Sequence, residues 1–133
     1  MGDLTSNISR SEMKCACCNY DICDYELIKI TQETVEFFKH LYKADKALLE
    51  VLSGNRCVEH NREVGGAPNS QHLYGKAMDF RIKVWTGAVW RFISSSEVAD
   101  YLDGRFPGKY GIGCYPRGRV HFDCRETRAR WRK

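Results

Sequence analysis

The chain has 133 residues, 43% of them hydrophobic and 29% charged, which suits one soluble domain with a real core and excludes a disordered or collagen-like chain. Lys and Arg outnumber Asp and Glu by 21 to 17, and the surplus gathers from Arg105 onward, in a C-terminal stretch rich in Arg. No apolar run approaches the roughly 20 residues of a membrane span, and the polar start MGDLTSNISR lacks the apolar stretch of a signal peptide. Synthesis in the cytoplasm, with no membrane span, is therefore expected.

Seven cysteines, an odd number, cannot all pair within the chain. Four of them, Cys15, Cys17, Cys18 and Cys23, crowd into a Cys-rich leader over residues 1–23. This leader admits a structural zinc, redox-labile local bridges, or free or partly buried thiols in a reducing cytosol. Downstream, Leu27, Thr31, Val35, Phe38 and Tyr42 recur at helical spacing and predict an amphipathic helix over about residues 24–43. Ala47 to Leu52 is a short apolar run, a strand or a buried helical turn, stopped by Ser53-Gly54-Asn55. Residues 61–76 (NREVGGAPNSQHLYGK) are rich in Gly, Asn, Pro and Ser and predict a long loop of the kind that carries function.

From Ala77 to Ile82 the residues alternate with period two, with Met78, Phe80 and Ile82 on one face and Asp79 and Arg81 on the other. Asp79 thus points away from the apolar face. Ser94 and Glu97 form a capping box and Gly104 a stop, predicting a helix near 95–103 with Val98, Ala99 and Leu102 inward. Residues 110–115 and 119–125 read as two strands joined at Pro116-Arg117-Gly118. In the second of them Arg119, His121, Asp123 and Arg125 share the polar face. The basic tail, 125–133, is expected to be solvated or weakly drawn to polyanions; no motif for specific nucleic-acid binding accompanies it.

His72 at the end of the loop and Asp79 on the strand after it can converge, with Gly75 allowing the turn between them. If the strand of His121 lies beside that of Asp79, two imidazoles and a carboxylate meet around one centre. His, Asp and His with an open fourth position is the donor set of a catalytic zinc, which makes bound water a nucleophile near neutral pH.

The runs Ser53-Gly54-Asn55-Arg56, Ser70-Gln71-His72-Leu73-Tyr74-Gly75-Lys76-Ala77-Met78-Asp79 and Val120-His121-Phe122-Asp123 strongly resemble the zinc D-alanyl-D-alanine carboxypeptidase family of metallopeptidases. The small phage and prophage branch is the nearest in pattern. The resemblance runs from about Ile8 to Trp131. It implies a small α+β scaffold, also seen in the signalling domain of hedgehog proteins: an antiparallel sheet with helices on one side and zinc on the open face. It implies His72, Asp79 and His121 as zinc ligands, Arg56 as the arginine that binds substrate or the oxyanion, and Ser70 as a residue near the substrate. Several members of the wider family carry Glu or Asp three residues before the last zinc His, where this chain has Gly118. Asp123 is then either the general base or a carboxylate that orients a zinc ligand; Tyr115 and Glu63 are the fallback bases.

The expectation is a single zinc peptidase domain over 1–133, monomeric, cleaving a peptide bond in peptidoglycan stem peptides or cross-links that contain D-amino acids. It would act at the bacterial cell wall during phage lysis or as a virion component. The alternative is a non-catalytic, zinc-containing binding module that docks a protein or cell-wall partner.

Overall fold

A computed structural model describes residues 5–8, 10–15, 24–54, 56, 58–67 and 70–133. Its elements in chain order are α1 (Arg10–Met13), α2 (Tyr25–Leu41), β1 (Ala47–Ser53), α3 (Val58–Glu63), a 3₁₀ turn (Gln71–Tyr74), β2 (Ala77–Trp85), β3 (Trp90–Phe92), α4 (Ser95–Arg105), β4 (Gly111–Cys114), β5 (Val120–Asp123) and β6 (Ala129–Arg132). The architecture is α+β. The described strands form one sheet in the order β1-β2-β5-β4-β6, with β3 also paired to β2.

The long helix α2 starts where its capping chemistry dictates: the Asp24 carboxylate accepts from the Leu27 N–H at 3.1 Å. Its apolar face buries Leu27, Ile28, Ile30, Val35 and Phe38. Strand β2 follows its period-two pattern, sinking Met78, Phe80, Ile82 and Val84 into the core. These meet Phe122, Val120 and Ile112 of the neighbouring strands, and Val98, Ala99 and Leu102 of α4, in one apolar cluster. Helices α2 and α4 touch through Phe37 stacked on Tyr101, centroids 4.2 Å apart. Both pack on the same side of the sheet, leaving the other side to the polar residues of β2 and β5 and the glycines of β4.

Four expectations are corrected. The loop over 61–76 is partly ordered: Asn61 belongs to α3, and His72 to the 3₁₀ turn. Helix α4 runs through Gly104 to Arg105 and is capped at Phe106. The sheet is mixed, because β6 runs parallel to β4, with Gly113 opposite Trp131. The tail is therefore not simply solvated. Arg130, its side chain 16% exposed, donates to the carbonyls of Phe106, Lys109 and Tyr110 and to the Asp103 carboxylate, which ties the strand down. The short β3 was not anticipated. In the leader, Ile8, Met13 and Cys15 are buried, while Cys17, Cys18 and Cys23 lie outside the described residues, and the structural-zinc reading with them.

No helix among the described residues is long and apolar enough to cross a membrane.

Two substitutions test this packing. Phe122, fully buried, should cost about 3–5 kcal/mol on change to Ala. Gly104 sits in a helix with open space around the position of a Cβ, so Gly104→Ala should add about 0.5–1 kcal/mol. Urea unfolding of the two variants checks both signs.

Candidate active site

Strand pairing builds the site. Asp79 of β2 lies directly opposite His121 of β5, so their side chains rise side by side from the open face. The His121 Nδ1 to Asp79 Oδ1 distance is 2.8 Å. His72 arrives from the 3₁₀ turn, which Ser70 caps by accepting from the His72 N–H, and which ends at Gly75 in the left-handed region (φ 68°). Its Nε2 stands 3.4 Å from the same Asp79 oxygen. The two imidazole centroids are 5.2 Å apart.

The tautomers follow from the partners. His72 Nδ1 lies 2.6 Å from the Gly54 carbonyl, which can only accept, so the ring proton belongs on Nδ1. Nε2 then turns a lone pair toward a carboxylate oxygen, and this buried nitrogen has no hydrogen-bond partner. His121 is gripped at both ends, with Nε2 2.7 Å from Asp123 Oδ2, and serves both carboxylates as an imidazolium. Burial opposes that charge, but the hydrogen bonds to Asp123 and Asp79 raise its pKa above the ordinary value. Burial would likewise raise Asp79, yet its hydrogen bond to His121 holds it far below the usual carboxylate range.

This set fits a metal. His72 Nε2, an Asp79 oxygen and His121 Nδ1 all lie within 4.8 Å of one another. The separations of 2.8 and 3.4 Å bracket the edge of about 3.3 Å expected of a tetrahedron with arms near 2.0–2.1 Å. The orphaned lone pair opposite an anion is what a cation would relieve.

Asp123 stands behind His121. It is fully buried, and both its oxygens are engaged: by the Gly111 and Arg125 N–H groups, by the Arg125 guanidinium and by His121. Burial is outweighed by the His121 and Arg125 hydrogen bonds, which keep its carboxyl well below the ordinary range.

Two guanidiniums face Asp79 from the other side. Arg119 Nη2 is 2.8 Å from Asp79 Oδ2, and Arg56 Nη2 is 3.5 Å from it. Arg56 is held by Asn61 and Ser53, and burial lowers its pKa against the pull of Asp79. Arg119 was missed in the sequence, although its place two residues before His121 on the polar face was the available signal. Gly118, at the position of the absent carboxylate, has φ 78°, following Arg117 at φ 61°. Two successive left-handed residues make the tight hairpin turn, which favours glycine there over Glu or Asp.

The cleft over these groups measures about 610 Å³, and Asp79 is the one carboxylate among its described lining residues, against Arg56, Arg119, Arg125 and Lys133. Tyr115 lines it and accepts from Trp131 Nε1 at 2.7 Å. The Trp131 ring, unforeseen in its role, leans on His121 with centroids 5.1 Å apart. It lies across Gly113, where a methyl group would overlap the indole. Glu63 is exposed at the end of α3 and does not line the cleft.

With that geometry in hand, the comparison with known families is decisive. The family model for Peptidase M15 matches residues 6–123, and the chain belongs to this family of zinc-dependent, D-alanyl-D-alanine carboxypeptidase-like metallopeptidases. Neither the curated proteins nor the solved structures give a match.

Gly113→Ala should push the indole off His121. In a Trp85→Phe, Trp90→Phe background the emission of Trp131 should then shift to the red, while Gly104→Ala in the same background leaves it in place. An unmoved spectrum for Gly113→Ala would contradict the packing described.

Proposed function

We propose that His72, Asp79 and His121 hold a catalytic zinc, and that the protein hydrolyses a peptide bond in peptidoglycan stem peptides or cross-links containing D-amino acids. The observation that carries this reading is the buried, unpartnered His72 Nε2 directed at Asp79. Zinc bound there supplies a Lewis acid and a water acidified to near neutral pH.

The chain's own groups do the rest. Gly54 and Asp123, accepting from the far nitrogens of His72 and His121, fix which nitrogen each ring turns toward the metal. Arg56 and Arg119 place two planar donor forks beside Asp79, suited to a peptide oxygen that gains charge or to a substrate carboxylate. Arg125 and Lys133 make the rim cationic, which favours a substrate that presents carboxylates, as a stem peptide does. Ser70, at the lip of the cleft, serves its turn first and touches substrate second. Asp123 is read as orienting His121 and not as the base, since no lone pair of it faces the cleft uncommitted. The site of action is then the bacterial wall. The phage or prophage lytic setting rests on the motif resemblance.

A second reading, a zinc-containing module without catalysis, draws support from the glycine at position 118 and from Asp79 being the sole described carboxylate in the cleft. Hydrolysis of purified muropeptides, followed by mass, separates the two. The zinc-loaded chain should release a defined peptide product, and the chelated chain none; absence of any product with full zinc would favour the module. Asp123→Asn should weaken zinc binding by about 10–100-fold, with turnover of the fully loaded variant within about tenfold of the wild type. A fall in turnover beyond about 100-fold at full zinc occupancy would instead make Asp123 the base.

A further inference from the structure

Beyond the cleft, the open face of the sheet continues along β2 as a second surface. Arg81, Lys83 and Trp85 follow Asp79 on the same face, and Phe92 and Trp90 of β3 stand directly opposite Lys83 and Trp85. The Arg81 guanidinium lies 4.3 Å above the Phe92 ring centroid, and Lys83 Nζ lies 5.2 and 5.8 Å from those of Trp90 and Phe92. Trp85 and Trp90 meet edge to face at 5.5 Å. Across β2, Leu48 is opposite Lys83 and is 41% exposed; Phe92 is 43% exposed. An apolar and aromatic surface of this kind left open to water marks a binding face.

This platform is continuous with the cleft. The hairpin turn at Gly118 abuts it, since a Cβ at that glycine would lie 3.7 Å from Arg81 Cβ and 3.9 Å from Phe92 Cβ. The next residue is Arg119, which reaches Asp79 and lies over the Tyr115 ring. From Asp79 to Trp85 the strand spans about 20 Å, so a polymer lying along it would carry its side branch into the cleft.

The charge pattern selects the polymer. Arg81 is paired with Glu50 at 2.8 Å, and the cations are pinned over rings, so the platform is aromatic first and only weakly cationic. A polyanion would call for free, projecting cations. A pyranose ring has one apolar C–H face that stacks on an aromatic ring, and hydroxyls at its edge that take hydrogen bonds from the neighbouring ammonium and guanidinium groups.

We propose that the Trp85, Trp90, Phe92, Arg81 and Lys83 face binds the glycan strand of peptidoglycan, so that the stem peptide hanging from that strand enters the cleft beside it. This inference rests on the peptidase reading above and adds the sugar polymer as part of the recognised substrate.

The test uses peptidoglycan glycan strands freed of their stem peptides, titrated into the full chain and followed by tryptophan fluorescence and by co-sedimentation with intact sacculi. The wild type should bind the strands, with affinity changed less than about threefold at high salt, where exposed charges are screened. Trp90→Ala with Phe92→Ala should weaken that binding about tenfold or more, and Trp90→Phe with Phe92→Tyr should restore most of it. On activity, the Ala pair should lose far more on sacculi than on a soluble stem peptide. Wild-type chain that ignores the strands, that binds heparin in their place with strong salt dependence, or an Ala pair that binds as the wild type does, would overturn the proposal. Strand binding with no stem-peptide hydrolysis would count against the peptidase reading and in favour of this surface; hydrolysis without strand binding would do the reverse.

Discussion

The carboxylate of Asp79 is the contact on which the site depends. It is 3% exposed, and a charge so far from water must be compensated by its neighbours. One oxygen faces the two histidines and the other the two arginines. That division sets two imidazoles on one side of a single side chain and two guanidiniums on the other, the metal-binding and substrate-facing halves of the proposed site. Because His72 comes from a turn, Arg56 from the segment after β1, and Arg119 and His121 from the hairpin end and first half of β5, the carboxylate also draws three separate parts of the chain together.

Strand β2 makes this possible by serving two solvents at once. Its even-numbered residues from Met78 to Val84 are buried among α2, α4 and the neighbouring strands, and its odd-numbered residues carry first the chemistry and then the aromatic platform. The helices cover one face of the sheet, and the opposite face carries Asp79 and His121. Strand β6 then closes the cleft on one side, with Trp131 over Gly113 and against His121. That strand is held in place by Arg130 on the backbone carbonyls between α4 and β4.

Much of this was legible in the residues. The alternation of β2 and β5 told which way Asp79 and His121 face, the apolar spacing placed α2, and the capping residue Ser94 marked the true start of α4. The spacing from His72 to Asp79, with Gly75 between, foretold their meeting. What was not legible depended on partners distant in the chain. Strand β6 reads Ala-Arg-Trp-Arg, too short and too rich in Arg to stand out as a strand, and it is held by a carbonyl and a carboxylate twenty or more residues earlier. Arg119 looked like an ordinary polar position until the pairing of β2 with β5 put Asp79 within its reach. The burial of Asp123 and the Arg125 fork on both its oxygens, on which the proposed orienting role rests, depend on the folded backbone and could not be read from the sequence.

The most direct measurement is anomalous scattering at the zinc edge from crystals grown with zinc. A single strong peak is expected within about 2.0–2.2 Å of His72 Nε2, an Asp79 oxygen and His121 Nδ1, with Asp123 still on His121 Nε2. A map with no peak there, and His72 Nε2 still facing Asp79 across an empty gap at saturating zinc, would contradict the proposed site.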